Sequence, residues 1–154
     1  MSIEIWKKSE VITWSQLLLN SYSKFLGKEL IERTNNIEEA KILWFLPFVV
    51  VSHGLEMNPI FNYGNQIALT LWQMNWEEFT QTTSKSPVDF TQIEERDKML
   101  KTVRNRGFID NYRGIRCSST GKKFLIENVI VWNIVDTNNQ FHGQAATFSK
   151  WTFL

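Results

Sequence analysis

The chain has 154 residues, 43% of them hydrophobic and 14% aromatic, with seven tryptophans and a formal net charge of +1. This excludes a disordered chain and a protein governed by one sign of charge, and the length suits one domain with a real core. The single cysteine, Cys117, excludes an internal disulfide and a multi-cysteine zinc site, and no apolar run approaches the roughly 18 residues that span a bilayer.

The first residues, M-S-I-E-I-W-K-K, lack the charged-then-apolar order of a signal peptide. A cytoplasmic protein with no membrane contact is expected. Residues 9–27 follow as an amphipathic helix, with Val11, Trp14, Leu18, Tyr22 and Phe25 on one stripe and Gly27 as its stop. Such a stripe either packs on the core or pairs with a second copy. Asn36 with Glu39 offers a capping signal for a short helix reaching about Phe45, and Pro47 ends it.

Phe48–Val51 is a continuous run of aromatic and β-branched residues, the pattern of a central strand covered on both faces. Asn58-Pro59 forces a turn, and Ile60–Tyr63 reads as a second strand. The link is too short for a parallel crossover, so the pair is antiparallel. After Asn65 the period becomes helical through Ile67, Ala68, Leu71 and Trp72, and Asn75 with Glu78 caps another turn carrying Trp76 and Phe79. Residues 80–90 read as a loop. Thr91 with Glu94 forms a capping box for a helix through Asn105, with Ile93, Met99, Leu100 and Val103 inward and Gly107 beyond its end.

The last third reads as three strands in two hairpins: Phe108–Cys117, Lys122–Val135 and Gln140–Phe153. In the second of them Phe124, Ile126, Ile130, Trp132 and Ile134 are expected on one face. Helices grouped on one face of an antiparallel sheet make an α+β fold.

Residues 91–123 carry nine Lys/Arg against four Asp/Glu. Interleaved Glu94, Glu95 and Asp97 make this a solvated helix face before a nucleic-acid surface. His53 and His142 are the only histidines. With Glu56 they could supply at most three metal ligands, so a structural role for His53 at the end of the first strand is the better reading. No catalytic residue is assigned.

The element order is similar to that of a PAS domain, and I-F-N-Y-G-N-Q-I-A-L-T-L-W (60–72) and T-G-K-K-F (120–124) resemble PAS motifs. More narrowly, P-F-V-V-V-S-H-G, P-I-F-N-Y-G-N, W-E-E-F, G-F-I-D-N-Y-R-G-I-R and G-Q-A-A-T-F with S-K-W-T-F-L resemble the MEKHLA domain family across about residues 14–154. That family comprises PAS-like domains found as small bacterial, notably cyanobacterial, proteins and at the C-terminus of some plant homeodomain-leucine zipper regulators. This sequence is similar to the bacterial branch.

The resemblance implies a five-stranded sheet of order 2-1-5-4-3, an N-terminal helical extension over 1–35 and a PAS-like domain over 36–154. It also implies a small-molecule pocket between sheet and helices. Carried onto this chain, the ligand-binding residues would be His53, Glu56, Phe61, Tyr63, Trp72, Trp76, Tyr112, Arg116, Asn128 and Trp132. Flavin-binding relatives place a reactive cysteine in a loop that here reads Thr83-Ser84-Lys85, and haem-binding relatives take an axial histidine from the helix corresponding to 91–105. Neither residue is present, so cysteinyl-flavin and haem chemistry are not expected and the ligand is unassigned. The expectation is a sensory or regulatory module that binds a small molecule, pairs through helix 9–27 or docks on a partner. A small enzyme in the same pocket and a ligand-free interaction domain are the alternatives.

Overall fold

A computed structural model describes residues 4–86 and 90–154 of the chain. Five α-helices, α1 (Ser9–Leu26), α2 (Asn36–Trp44), α3 (Gln66–Trp72), α4 (Trp76–Phe79) and α5 (Ile93–Arg106), accompany six strands. The strands are β1 (Val49–His53), β2 (Phe61–Gly64), β3 (Phe108–Cys117), β4 (Lys123–Val135), β5 (Phe141–Phe148) and β6 (Lys150–Phe153). They form one antiparallel sheet of order β2-β1-β5-β4-β3, the expected order, with β6 also pairing β4. The expected final strand is therefore two, broken at Ser149.

β1 lies between β2, with Val51 opposite Gly64, and β5, with Val49 opposite Phe148 and His53 opposite Gln144. All five of its residues are buried because both faces of the sheet are covered. One cluster joins α1 and α2 to Val50, Tyr63, Trp132, Ile134 and Ala145. The other joins α3, α4 and α5 to Val49, Val51, Phe61, Phe124, Ile126, Val129, Val131 and Phe148. The helices are thus not all on one face, and α2 sits with α1.

The α1 stripe is consumed within the chain. Val11, Leu18, Leu19 and Tyr22 are buried, the Trp132 indole N–H donates to the Leu18 carbonyl at 3.2 Å, and Ser21 Oγ receives the Val135 N–H at 2.9 Å. Each of these buried large side chains stabilises the fold by about 1.5–3 kcal/mol. The apolar face that sequence reading offered for pairing through helix 9–27 is already occupied.

Asn65 holds the β2–α3 corner. It is fully buried and uses all its amide positions: Oδ1 accepts from Val50 N–H (3.1 Å) and Ala68 N–H (3.4 Å), and Nδ2 donates to the carbonyls of Leu43 (3.1 Å) and Phe48 (2.9 Å). One side chain therefore caps α3, satisfies the start of β1 and ties down the end of α2.

Three local expectations shift. α2 is capped by Asn35, which accepts from Glu38 N–H at 2.9 Å, and not by Asn36. α5 starts after a 3₁₀ turn (Phe90–Gln92), and its N-cap is Gln92, without a side-chain cap, and not Thr91. The Gln92 side chain instead accepts from Ile115 N–H of β3 at 2.9 Å. The third shift lies in β4, where Asn128 adopts φ +53° and Glu127-Asn128 form a bulge opposite β3. An extra residue reverses side-chain parity. Phe124 and Ile126 therefore share a face with Val129 and Val131, while Ile130, Trp132 and Ile134 turn to α1.

Candidate functional site

Between α3–α5 and the sheet lies a cavity of about 70 Å³. The bulge decides which β4 side chains reach it: Ile126, Val129 and Val131 line it. Val51, Phe61, Trp72, Met99 and Phe148 belong to the apolar wall with Leu100, Ala145 and Ala146, and His53, Ser84, Arg96, Tyr112, Arg116 and Gln144 supply polar side chains.

The polar groups form a directed chain, and its direction can be deduced. Gln144 Nε2 lies 3.0 Å from the Leu100 carbonyl, which can only accept, so Gln144 Oε1 must be the atom facing His53 Nε2 at 3.2 Å. That oxygen also only accepts. His53 is therefore protonated on Nε2, its Nδ1 is an acceptor, and Ser84 Oγ donates to it at 2.8 Å. Ser84 in turn accepts from Arg96 Nη2. At the far end Gln144 Nε2 donates to Asn133 Oδ1 (3.2 Å), and Asn133 Nδ2 donates to the Arg104 carbonyl (3.2 Å). The relay anchors α5 to β1, β4 and β5.

His53 is held neutral. Burial, reinforced by the charge of Arg96, pushes its pKa down to about 4, against weaker pulls from Gln144 and Glu56. Burial also draws the Arg96 guanidinium below its ordinary value, against the Asp97 hydrogen bond, and the like charge of Arg116 adds to the lowering. Arg96 and Arg116 are only 5% and 8% exposed. Arg96 Nη1 pairs at 3.1 Å with Asp97, whose side chain is half-exposed. Arg116 donates to the Ile115 carbonyl at 3.1 Å and to the Tyr112 hydroxyl at 3.4 Å. Among the described residues no Asp or Glu lines the cavity.

Of the residues singled out from sequence, His53, Phe61, Trp72, Tyr112 and Arg116 meet in this wall. Glu56 does not. Its Oε1 caps the Ile60 N–H at 3.1 Å in an outer groove that shares His53, Arg96 and Gln144 with the cavity. Tyr63 and Trp76 lie on the other side of the sheet against Trp44, with ring centroids 6.4 and 5.9 Å from it. Trp132 faces α1, turned there by the bulge. Asn128 is exposed, because its side chain stands on the outside of that bulge.

His142 pairs with Asp136 at 2.9 Å in the β4–β5 turn, away from the cavity wall. No group of three or more His, Cys, Asp or Glu suited to a metal occurs among the described residues. Cys117 is half-buried at the end of β3. No described helix is long and apolar enough to cross a membrane.

Sequence reasoning missed Ser84, Arg96 and Gln144. Arg96 had a readable signal, since with Ile93, Leu100 and Val103 it falls at spacings of three and four on the inward stripe of α5. Ser84 in a loop and Gln144 in a strand carry no such periodicity.

A family model described as the MEKHLA domain matches residues 12–153. Homeobox-leucine zipper protein HOX9 of Oryza sativa subsp. indica is 20% identical over 147 residues, covering 94% of this chain and 18% of that protein. The chain thus spans less than a fifth of the length of the curated relatives it matches. Among solved structures it is similar to the PAS domain of a protein from Colwellia psychrerythraea, with a TM-score of 0.63 and 17% identity, covering 76% of this chain and 94% of that one. It is also similar to a Light-Oxygen-Voltage domain studied with a flavin analogue, with a TM-score of 0.57 and 14% identity over 76% of this chain and 84% of that one.

Proposed function

This chain belongs to the MEKHLA domain family, and from that premise we propose that it is a PAS-like regulatory module that binds a small molecule between the sheet and α3–α5. The observation carrying this reading is the cavity itself. Six polar side chains, two of them buried guanidiniums, surround a space that the aromatic core leaves unfilled. Protein interiors are close-packed, and buried charge is retained where it has a partner.

Size narrows the ligand. About 70 Å³ is far below the several hundred Å³ of a drug-sized pocket, so a flavin or haem does not fit the cavity as it stands. The enzyme alternative rests on His53, Glu56 and Arg116. A histidine with a pKa of about 4 and both ring nitrogens engaged is a weak base, and Glu56 lies outside the cavity. Binding is better supported than turnover.

A bound molecule would report outward through α5, whose carbonyls and Arg96 join the relay, by favouring one docking of that helix over another. Native mass spectrometry of the purified chain tests the reading. Retained mass beyond the chain is expected, and a bare chain that no small molecule stabilises would overturn it.

A further inference from the structure

Counting charges and hydrogen-bonding groups around the cavity separates two kinds of ligand. Among the described residues, two buried guanidiniums face a space with no carboxylate in its wall, and the Asp97 carboxylate paired with Arg96 is half in water. An uncompensated buried charge costs several kcal/mol, so Arg116 beside an Arg96 whose carboxylate partner Asp97 lies outside the wall calls for an anion. Among the described residues Arg116 donates to a carbonyl and a phenol, both neutral.

Donors are also in surplus. The Trp72 indole N–H is buried in the same wall and has no acceptor among the described residues. A buried donor without a partner calls for an explanation, and an acceptor-rich guest gives one. Apart from the Tyr112 hydroxyl, the rest of the described wall is apolar or has its donors engaged, which leaves little for the remaining oxygens of a tetrahedral oxyanion such as phosphate. The volume is about half that of a cavity that holds a benzene ring.

We propose that the cavity takes a short-chain carboxylate of acetate-to-propionate size, its carboxylate between Arg96 and Arg116 and its tail on the apolar wall. The planar fork of a guanidinium matches a carboxylate, and two of them select it over a neutral amide of equal shape. This inference deepens the small-molecule reading and rests on it.

The test is a titration of the full chain with propionate, propionamide and inorganic phosphate at fixed ionic strength, following the tryptophan indole N–H signals by NMR. The Trp72 signal is assigned from Trp72→Phe. Propionate is expected to shift that signal saturably and to raise the melting temperature, with propionamide and phosphate leaving both unchanged. In Arg116→Gln the propionate affinity should fall about tenfold or more. The comparison of propionate with propionamide on the unaltered chain stands even if that variant does not fold.

Equal response to propionamide overturns the anion assignment and keeps the binding module. A preference for phosphate overturns the carboxylate. No response to any probe overturns the proposal, and native mass then decides the broader reading: extra neutral mass preserves it, and a bare chain removes both.

Discussion

Gly143 passes so close to the backbone of His53 that a Cβ built on it would lie 2.1 Å from the His53 carbonyl oxygen. Its φ of +149° is also one that L side chains rarely adopt. β5 can therefore run beside the end of β1, and bring Gln144 opposite His53, only because residue 143 has no side chain. Gly143→Ala should destabilise the protein by about 2–4 kcal/mol, since the opposing atom is backbone and cannot rotate away. Urea denaturation checks this. A loss below about 0.5 kcal/mol would mean that β5 can shift away from β1 without cost.

Acid should loosen the site before it unfolds the rest. His53 has a folded pKa of about 4, below its ordinary 6.5. The unfolded chain therefore takes up this proton first as pH falls. His53 contributes full stability above about pH 6.5 and loses it progressively toward pH 4, by about 3 kcal/mol in total. His53→Gln cannot titrate. The stability difference between the two proteins should change with pH across that window, and a pH-independent difference would show that His53 is not held neutral.

Asn65→Ala removes four hydrogen bonds to buried backbone at once. Unpaired buried groups cost about 1–3 kcal/mol each, so a loss of at least about 3 kcal/mol is expected. Asn65→Asp should do no better at neutral pH, because a carboxylate would replace the donor facing the Leu43 and Phe48 carbonyls. Thermal unfolding of both variants measures this. An Asp variant close to the unaltered protein would refute the described geometry.

Sheet order was readable because β1 is a continuous apolar run and the terminal strands are long and turn-bounded, patterns that a short link and two hairpins convert into neighbours. Pocket membership was half readable for a definite reason. His53, Tyr112 and Arg116 sit on strand segments whose parity can be counted from a neighbouring turn, whereas the irregularity between β1 and β2 puts Phe61 and Tyr63, two residues apart, on opposite faces. Trp132 was misplaced because counting inward from Phe124 crosses Asn128, where the bulge adds a residue that alternation cannot register. Tyr63 and Trp76 were drawn in by aromatic character, yet that character serves the packing against Trp44 on the α1–α2 face.

Asn128 accordingly lies outside the cavity wall and acts on the strand through its backbone conformation. It is exposed, and asparagine tolerates its left-handed φ of +53° better than other non-glycine residues. Asn128→Gly should change stability by less than about 0.5 kcal/mol, and Asn128→Val should cost about 1–2 kcal/mol. Chemical denaturation of the pair distinguishes the roles. If Gly and Val behave alike, the bulge does not depend on this residue's conformation.

Trp132 gives the complementary test on the opposite face. Its indole N–H donates to the Leu18 carbonyl at 3.2 Å and its ring meets Tyr22 edge-on at 5.0 Å, so it fastens α1 to β4. Trp132→Phe loses the hydrogen bond and leaves a gap, and about 1–3 kcal/mol of stability should go with them. The loss should be local: amide exchange should rise along α1, while the Trp72 indole signal keeps its response to propionate, because the sheet separates the two clusters. A variant that stays folded but no longer responds would place Trp132 in contact with the cavity and contradict the parity reversal at Asn128. Unchanged exchange in α1 would show instead that Ser21 and the buried leucines hold that helix without the indole.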